Sequence, residues 1–165
     1  MKQRLILSFF LVLLSGAAFG QTQLLIDSLV TVLSETKNSI EISKKPEAIK
    51  IISYGQKSLT FLSNIFDDQT LTETRSEFQN LVLTKGEIAI ILADKIEYMP
   101  YGRLTNIQNC LLEFCKDNPN LVEYYLFSIR SNNVKEFQRR YKDWLTSKER
   151  KEWTPYLNAK KKVFK

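Results

Sequence analysis

The sequence predicts an all-α fold: an irregular bundle of about six or seven short to medium helices after a cleaved signal peptide. Three observations predict it. Turn-formers are scarce, with 5 Gly and 4 Pro in 165 residues, which argues against a many-stranded sandwich. Apolar residues recur at steps of three and four along most of the chain. Ser, Thr and Asn stand as N-cap signals ahead of several of these stripes.

Residues 1–20 carry the pattern of a secretory signal. Met1-Lys2-Gln3-Arg4 holds two cations and no acid, an apolar run extends from Leu5 to Leu14, and Ser15, Gly16, Ala17 and Ala18 follow. Ala18-Phe19-Gly20 fits a small-x-small cleavage rule, so cleavage is predicted after Gly20. The apolar run is about half the roughly 20 residues needed to span a bilayer. Ala17 stands where a bacterial lipoprotein would carry its lipidated Cys. The expected product is secreted or periplasmic, with no transmembrane segment in the mature chain.

Residues 21–153 are expected to form a single helical domain, and 154–165 a basic, flexible tail. An apolar fraction of 44% suits a globular protein and argues against wholesale disorder. Charge is unevenly spread. Residues 21–129 hold 10 basic and 14 acidic side chains, whereas 130–165 hold 12 basic and 4 acidic. Such a basic end suits an anionic partner.

The elements follow in order. Gln23–Ser43 reads as one helix, with Ile26, Leu29, Val30, Leu33 and Ile40 on its stripe. Lys45-Pro46 breaks it and opens a second helix to Phe66, in which Gly55 is expected to admit a neighbouring helix closely. Thr70-x-x-Glu73 reads as a capping box for a helix over 71–83 that buries Leu71, Phe78, Leu81 and Val82. Thr84-x-x-Glu87 is a second box and opens the most apolar helix, to Tyr98. A competing reading makes Phe78–Thr84 and Glu87–Leu92 a hairpin around Lys85-Gly86. Met99-Pro100-Tyr101-Gly102-Arg103 is a turn. Thr105 then caps a short helix carrying Ile107, Cys110, Leu111 and Phe114. Asn118-Pro119 starts a helix that buries Val122, Tyr125, Leu126 and Ile129. Asn132-Asn133 begins another, with Val134, Phe137, Tyr141, Trp144 and Leu145 on one stripe. Ser147–Trp153 adds a last turn or two.

The chain has no His, which removes His-dependent triads and His-bearing zinc sites. No Gly-rich phosphate loop is present, and no metal or cofactor is expected. Cys110 and Cys115 are a possible disulfide in an exported protein. On a continuous helix their Cα atoms would stand about 8–9 Å apart, beyond the ~7 Å limit for a bridge. Bridging therefore requires the helix to end or distort before Cys115, and two buried thiols are the alternative. Glu87, Asp94 and Glu97 offer carboxylate pairs for glycan hydrolysis, although such acids usually solubilise a helix face.

Two surfaces are candidate binding sites. One is the loop of Tyr98, Tyr101 and Arg103, residue types that anchor interfaces. The other is the basic region with Arg139, Arg140 and Lys142 near Trp144 and Trp153, suited to an anionic surface. The leading functional expectation is a non-enzymatic binding or interaction protein of the cell envelope or exterior, with an unknown protein as partner. Peripheral attachment to an anionic surface and a carboxylate-dependent hydrolase of glycans are the alternatives. Nucleic acid is disfavoured by export.

Overall fold

The computed structural model describes residues 22–107 and 120–153. The signal segment, Cys110, Cys115 and the tail over 154–165 lie outside the described residues. Nine helical segments and one hairpin are described: α1 (22–33), α2 (Ser39–Ile42), α3 (Pro46–Ser53), α4 (Leu59–Ser63), β1 (Leu71–Arg75), β2 (Val82–Thr84), α5 (Lys85–Ile96), α6 (Tyr101–Thr105), α7 (Glu123–Asn132), α8 (Val134–Thr146) and α9 (148–153). The fold is mostly helical, as expected, with a small antiparallel sheet.

The single helix expected over 23–43 is split into α1 and α2. Residues 34–38 leave the helical path because β1 uses their carbonyls. The Glu73 N–H donates to Ser34 O at 2.8 Å, and the Arg75 N–H to Lys37 O at 2.9 Å. Asn38 then restarts the helix, its side chain accepting from the Ile40 N–H at 2.8 Å. The second expected helix breaks at Gly55, whose φ of +59° is left-handed. A Cβ there would meet nothing within 4 Å, so Gly55 makes a turn and admits no close neighbour. A 3₁₀ turn, Gly55–Ser58, leads into α4.

The largest departure is the helix expected over 71–83, which is the β1–β2 hairpin. The Thr70 N–H donates to the Asp68 carboxylate at 2.9 Å, and the chain runs extended from there. Thr72 faces inward and donates its hydroxyl to Leu83 O at 2.8 Å, while Thr74 is buried. Leu71, expected in the core, is 69% exposed. The alternative hairpin around Lys85-Gly86 does not form either, because those residues are the first turn of α5.

The capping box at Thr84 is present in both directions. The Thr84 N–H donates to Glu87 Oε2 at 2.8 Å, and the Glu87 N–H to Thr84 Oγ1 at 3.2 Å. Residues 86–94 are all buried, so α5 is the central rod of the molecule. It packs on α3 and α4, and α8 packs on α4, α6 and α7. Phe66 joins the two groups, its ring 5.0 Å from Tyr141 and 5.9 Å from Phe137. Each fully buried Ile or Leu here contributes about 1.5–3 kcal/mol by leaving water. Gly86 permits the fit: a Cβ on it would lie 2.3 Å from Phe66 O.

The turn at Met99–Arg103 contains the short helix α6. Thr105 ends α6 rather than starting the next helix. Its hydroxyl donates to Tyr101 O at 2.7 Å, and Asn106 follows in the left-handed region. Val122, Tyr125, Leu126 and Ile129 are buried around α7, and Phe137, Tyr141 and Trp144 on α8, as their spacing predicts. Asn133 caps α8 by accepting from the Lys135 and Glu136 N–H groups. Ser147 does the same for α9 through the Arg150 N–H.

Candidate binding groove

The loop at Tyr101 meets Trp144, Glu149 and Trp153 of the C-terminal helices in space, whereas Arg139, Arg140 and Lys142 lie outside that groove. Helices α6, α7, α8 and α9 surround a groove of about 340 Å³ whose aromatic lining is Tyr98, Tyr101, Tyr125, Trp144 and Trp153. Packing orders this lining. Tyr101 stacks on Tyr125 with ring centroids 4.4 Å apart and planes within 10°. Tyr98 meets the Tyr101 ring edge-on at 5.5 Å. Such pairs add about 0.5–1.5 kcal/mol each beyond area burial.

Tyr101 is the base of the groove. It is 3% exposed, and its hydroxyl donates to Asp94 of α5. Burial, and then the neighbouring Asp94 charge, push its pKa well above the ordinary value for tyrosine. Asp94 also accepts from the Met99 N–H at 3.2 Å, so one carboxylate ties the turn to the central helix. Arg103 forms the rim. Its guanidinium lies 5.6 Å from the Trp144 ring centroid and pairs with Glu149 of α9. That ion pair is half exposed and covers an otherwise buried Trp144. Trp153 stands opposite with half its surface in solvent.

A second depression of about 270 Å³ lies on the other side of α6, lined by Asn106, Ser128, Asn132, Glu136 and Arg140 among others. Arg140 donates to Glu136 at 2.8 Å and reaches Leu104 O at 3.4 Å. Arg139 points outward and is bound to Glu136 and Asp143. Hydrogen bonds from Arg139 and Arg140 lower the Glu136 pKa to about 2. Lys142 is partly buried on α8.

The acids considered for glycan hydrolysis are not on a solvated face. Glu87, Asp94 and Glu97 are all buried. Glu87 accepts two hydrogen bonds from Arg130. Glu97 accepts two from Arg150, at 2.7 and 2.9 Å, and a third from Gln56 at 2.8 Å. The Glu97 hydrogen bonds raise the Arg150 pKa. Burial, followed by the Glu97 charge, raises that of Tyr141. Each of these two grooves contains one carboxylate, already bound to an arginine, so neither pairs two acids across a cleft. Among the described residues no group of three or more His, Cys, Asp or Glu side chains is placed to hold a metal ion, and no helix is long and apolar enough to cross a membrane.

Glu149 is the groove residue that sequence reasoning missed. Nothing in its neighbourhood marks it, because its role comes from α9 folding back beside α6. Comparison with protein families, with characterised proteins and with solved structures finds no match.

Proposed function

We propose that the protein is a non-enzymatic binding module, exported through residues 1–20, that captures a partner protein in the groove between α6 and α9. The observation that carries this reading is the combination of a half-exposed Trp153, the aromatic floor and the Arg103–Glu149 rim. Trp, Tyr and Arg in one concave site are the residue types that dominate binding energy at interfaces. The partner chemistry that fits is an apolar or aromatic side chain flanked by polar groups.

Arg103→Ala combined with Trp153→Ala tests it. Both side chains are substantially exposed, so the double variant is expected to keep its circular dichroism and Tm. Crosslinking pull-down with the wild-type chain should recover a partner that the double variant loses. Retention of every partner by the double variant would overturn the groove's role. Tyr101→Ala is unsuitable because it removes a structural hydroxyl. Export is tested by N-terminal sequencing of the secreted product, expected to begin at Gln21.

A second reading has its own observation. In residues 130–153 the arginines are engaged: Arg130, Arg139, Arg140 and Arg150 all pair with acids. Lys135, Lys142, Lys148 and Lys151 carry no ion pair among the described residues and, with the lysines of the tail, are charges available to an anionic surface. Replacing these four with Gln should weaken salt-sensitive sedimentation with anionic vesicles, truncation after Trp153 should weaken it further, and sedimentation unchanged by both together would remove this reading.

A further inference from the structure

A carboxylate apart from the groove lacks the arginine partner that Glu87 and Glu97 have. Glu123 opens α7 and is 0% exposed. Glu87 and Glu97 each face an arginine, but no Lys or Arg among the described residues pairs with Glu123. Its Oε2 accepts the Ser76 hydroxyl. Its Oε1 has no hydrogen-bond partner. The helix N-terminus supplies only a partial positive charge.

Two further buried oxygens, one in this network and one beside it along the chain, also lack a partner. Gln79 donates from Nε2 to Glu123 O at 2.8 Å and to Tyr124 O at 3.4 Å. Those two bonds orient the amide, and its Oε1 is left with no donor. Thr74 is 0% exposed and its Oγ1 has no partner. It lies two residues before Ser76, on the inward side of an extended segment. None of the three oxygens bonds to another. The donors around them are occupied: the Ser76 hydroxyl on Glu123, and the Gln79 N–H on Ser76 Oγ at 3.1 Å.

Burying a carboxylate is costly unless it is paired and hydrogen-bonded, and here one of its oxygens has neither kind of partner. We propose that Thr74, Gln79 and Glu123 form a site for a monovalent metal cation, Na⁺ or K⁺. A carboxylate, an amide carbonyl and a hydroxyl are hard oxygen ligands of the kind that hold hard cations. One carboxylate neutralises one monovalent charge, whereas a divalent ion would leave net positive charge in the interior. The site ties β1 and the hairpin turn to the start of α7, so its occupancy acts on stability.

The test is thermal unfolding of the full chain at constant ionic strength, exchanging choline chloride for NaCl or KCl. Tm is expected to rise by about 3–5 °C at a tenfold excess over Kd. Glu123→Gln should fold and lose that dependence. Thr74→Val retains the charge but removes one ligand, and should move the midpoint to higher salt. A Tm identical in all three salts overturns the proposal. A shift with Ca²⁺ or Mg²⁺ alone overturns the monovalent assignment.

Discussion

Residues 70–73 and 84–87 share the pattern Thr-x-x-Glu, yet one opens a strand and the other a helix. At Thr84 the box closes in both directions, and Ile88 to Ala93 continue into the core behind it. At Thr70 the backbone N–H goes to Asp68 and the following residues alternate between inside and outside. The two glutamates differ in the same way. Glu87 is buried and held by Arg130, whereas Glu73 is exposed and pairs directly with an exposed Lys37. A capping motif is thus a local offer that tertiary partners accept or decline. Here the carbonyls of residues 34 and 37 claim the backbone of 73 and 75.

Substitutions at matched positions should separate the two segments. Glu87→Ala breaks a buried ion pair and a cap together and is expected to destabilise by about 3 kcal/mol in urea unfolding. Glu73→Ala should change stability by less than about 0.5 kcal/mol. Equal effects would break the comparison. Gly86→Ala places a Cβ against the backbone of Phe66, and an effect of about 2 kcal/mol is expected, with α5 displaced. An unchanged Tm would show that the two segments do not pack as described.

Thr84→Ala is expected to cost about 1 kcal/mol as a lost N-cap. Thr70→Ala, on an exposed residue, should stay within about 0.5 kcal/mol.

The smallest effect is one of pH. Burial works to raise the Asp68 pKa, but the hydrogen bonds from Thr70 and the charge of Lys85 outweigh it and hold it below the usual 3.8. The carboxylate therefore stabilises the fold above that value, and its contribution disappears as pH falls through the lowered one. Compared by Tm from pH 6 to pH 2, the wild type should lose its advantage over Asp68→Asn only below about pH 4.

The charge asymmetry of the sequence has a structural meaning too. Basic side chains collect beyond residue 129, and two of them reach back across 43 and 53 residues to Glu87 and Glu97. Part of what resembles an anion-binding end is therefore the ionic attachment of α7 and α9 to the central helix. The lysines remain for solvent, consistent with the stronger pairing geometry of arginine.

Legibility varied with how local the cause was. The stripe of α8, the Asn133 cap and the box at Thr84 were readable because each depends on residues within a turn or two. Leu71 was misplaced because threonines at 72 and 74 tolerate either state, and only pairing with β2 and residues 34–37 settles them. Of the candidate site, Tyr98, Tyr101 and Arg103 were readable by residue type. Their division into floor and rim was not, since it rests on Tyr125, Trp144 and Glu149 arriving from other helices.

The sequence alone determined a mostly helical chain, the central apolar helix and the absence of histidine chemistry. These follow from composition and from periodicities shorter than one helix. Tertiary structure alone decided that residues 71–84 are a hairpin, that Glu87, Asp94 and Glu97 are internal, and that the Tyr101 turn shares one groove with Trp144, Glu149 and Trp153. Each of those outcomes depends on atoms far apart in the chain. Burial strengthens an ion pair or strands a polar group only after such atoms have met.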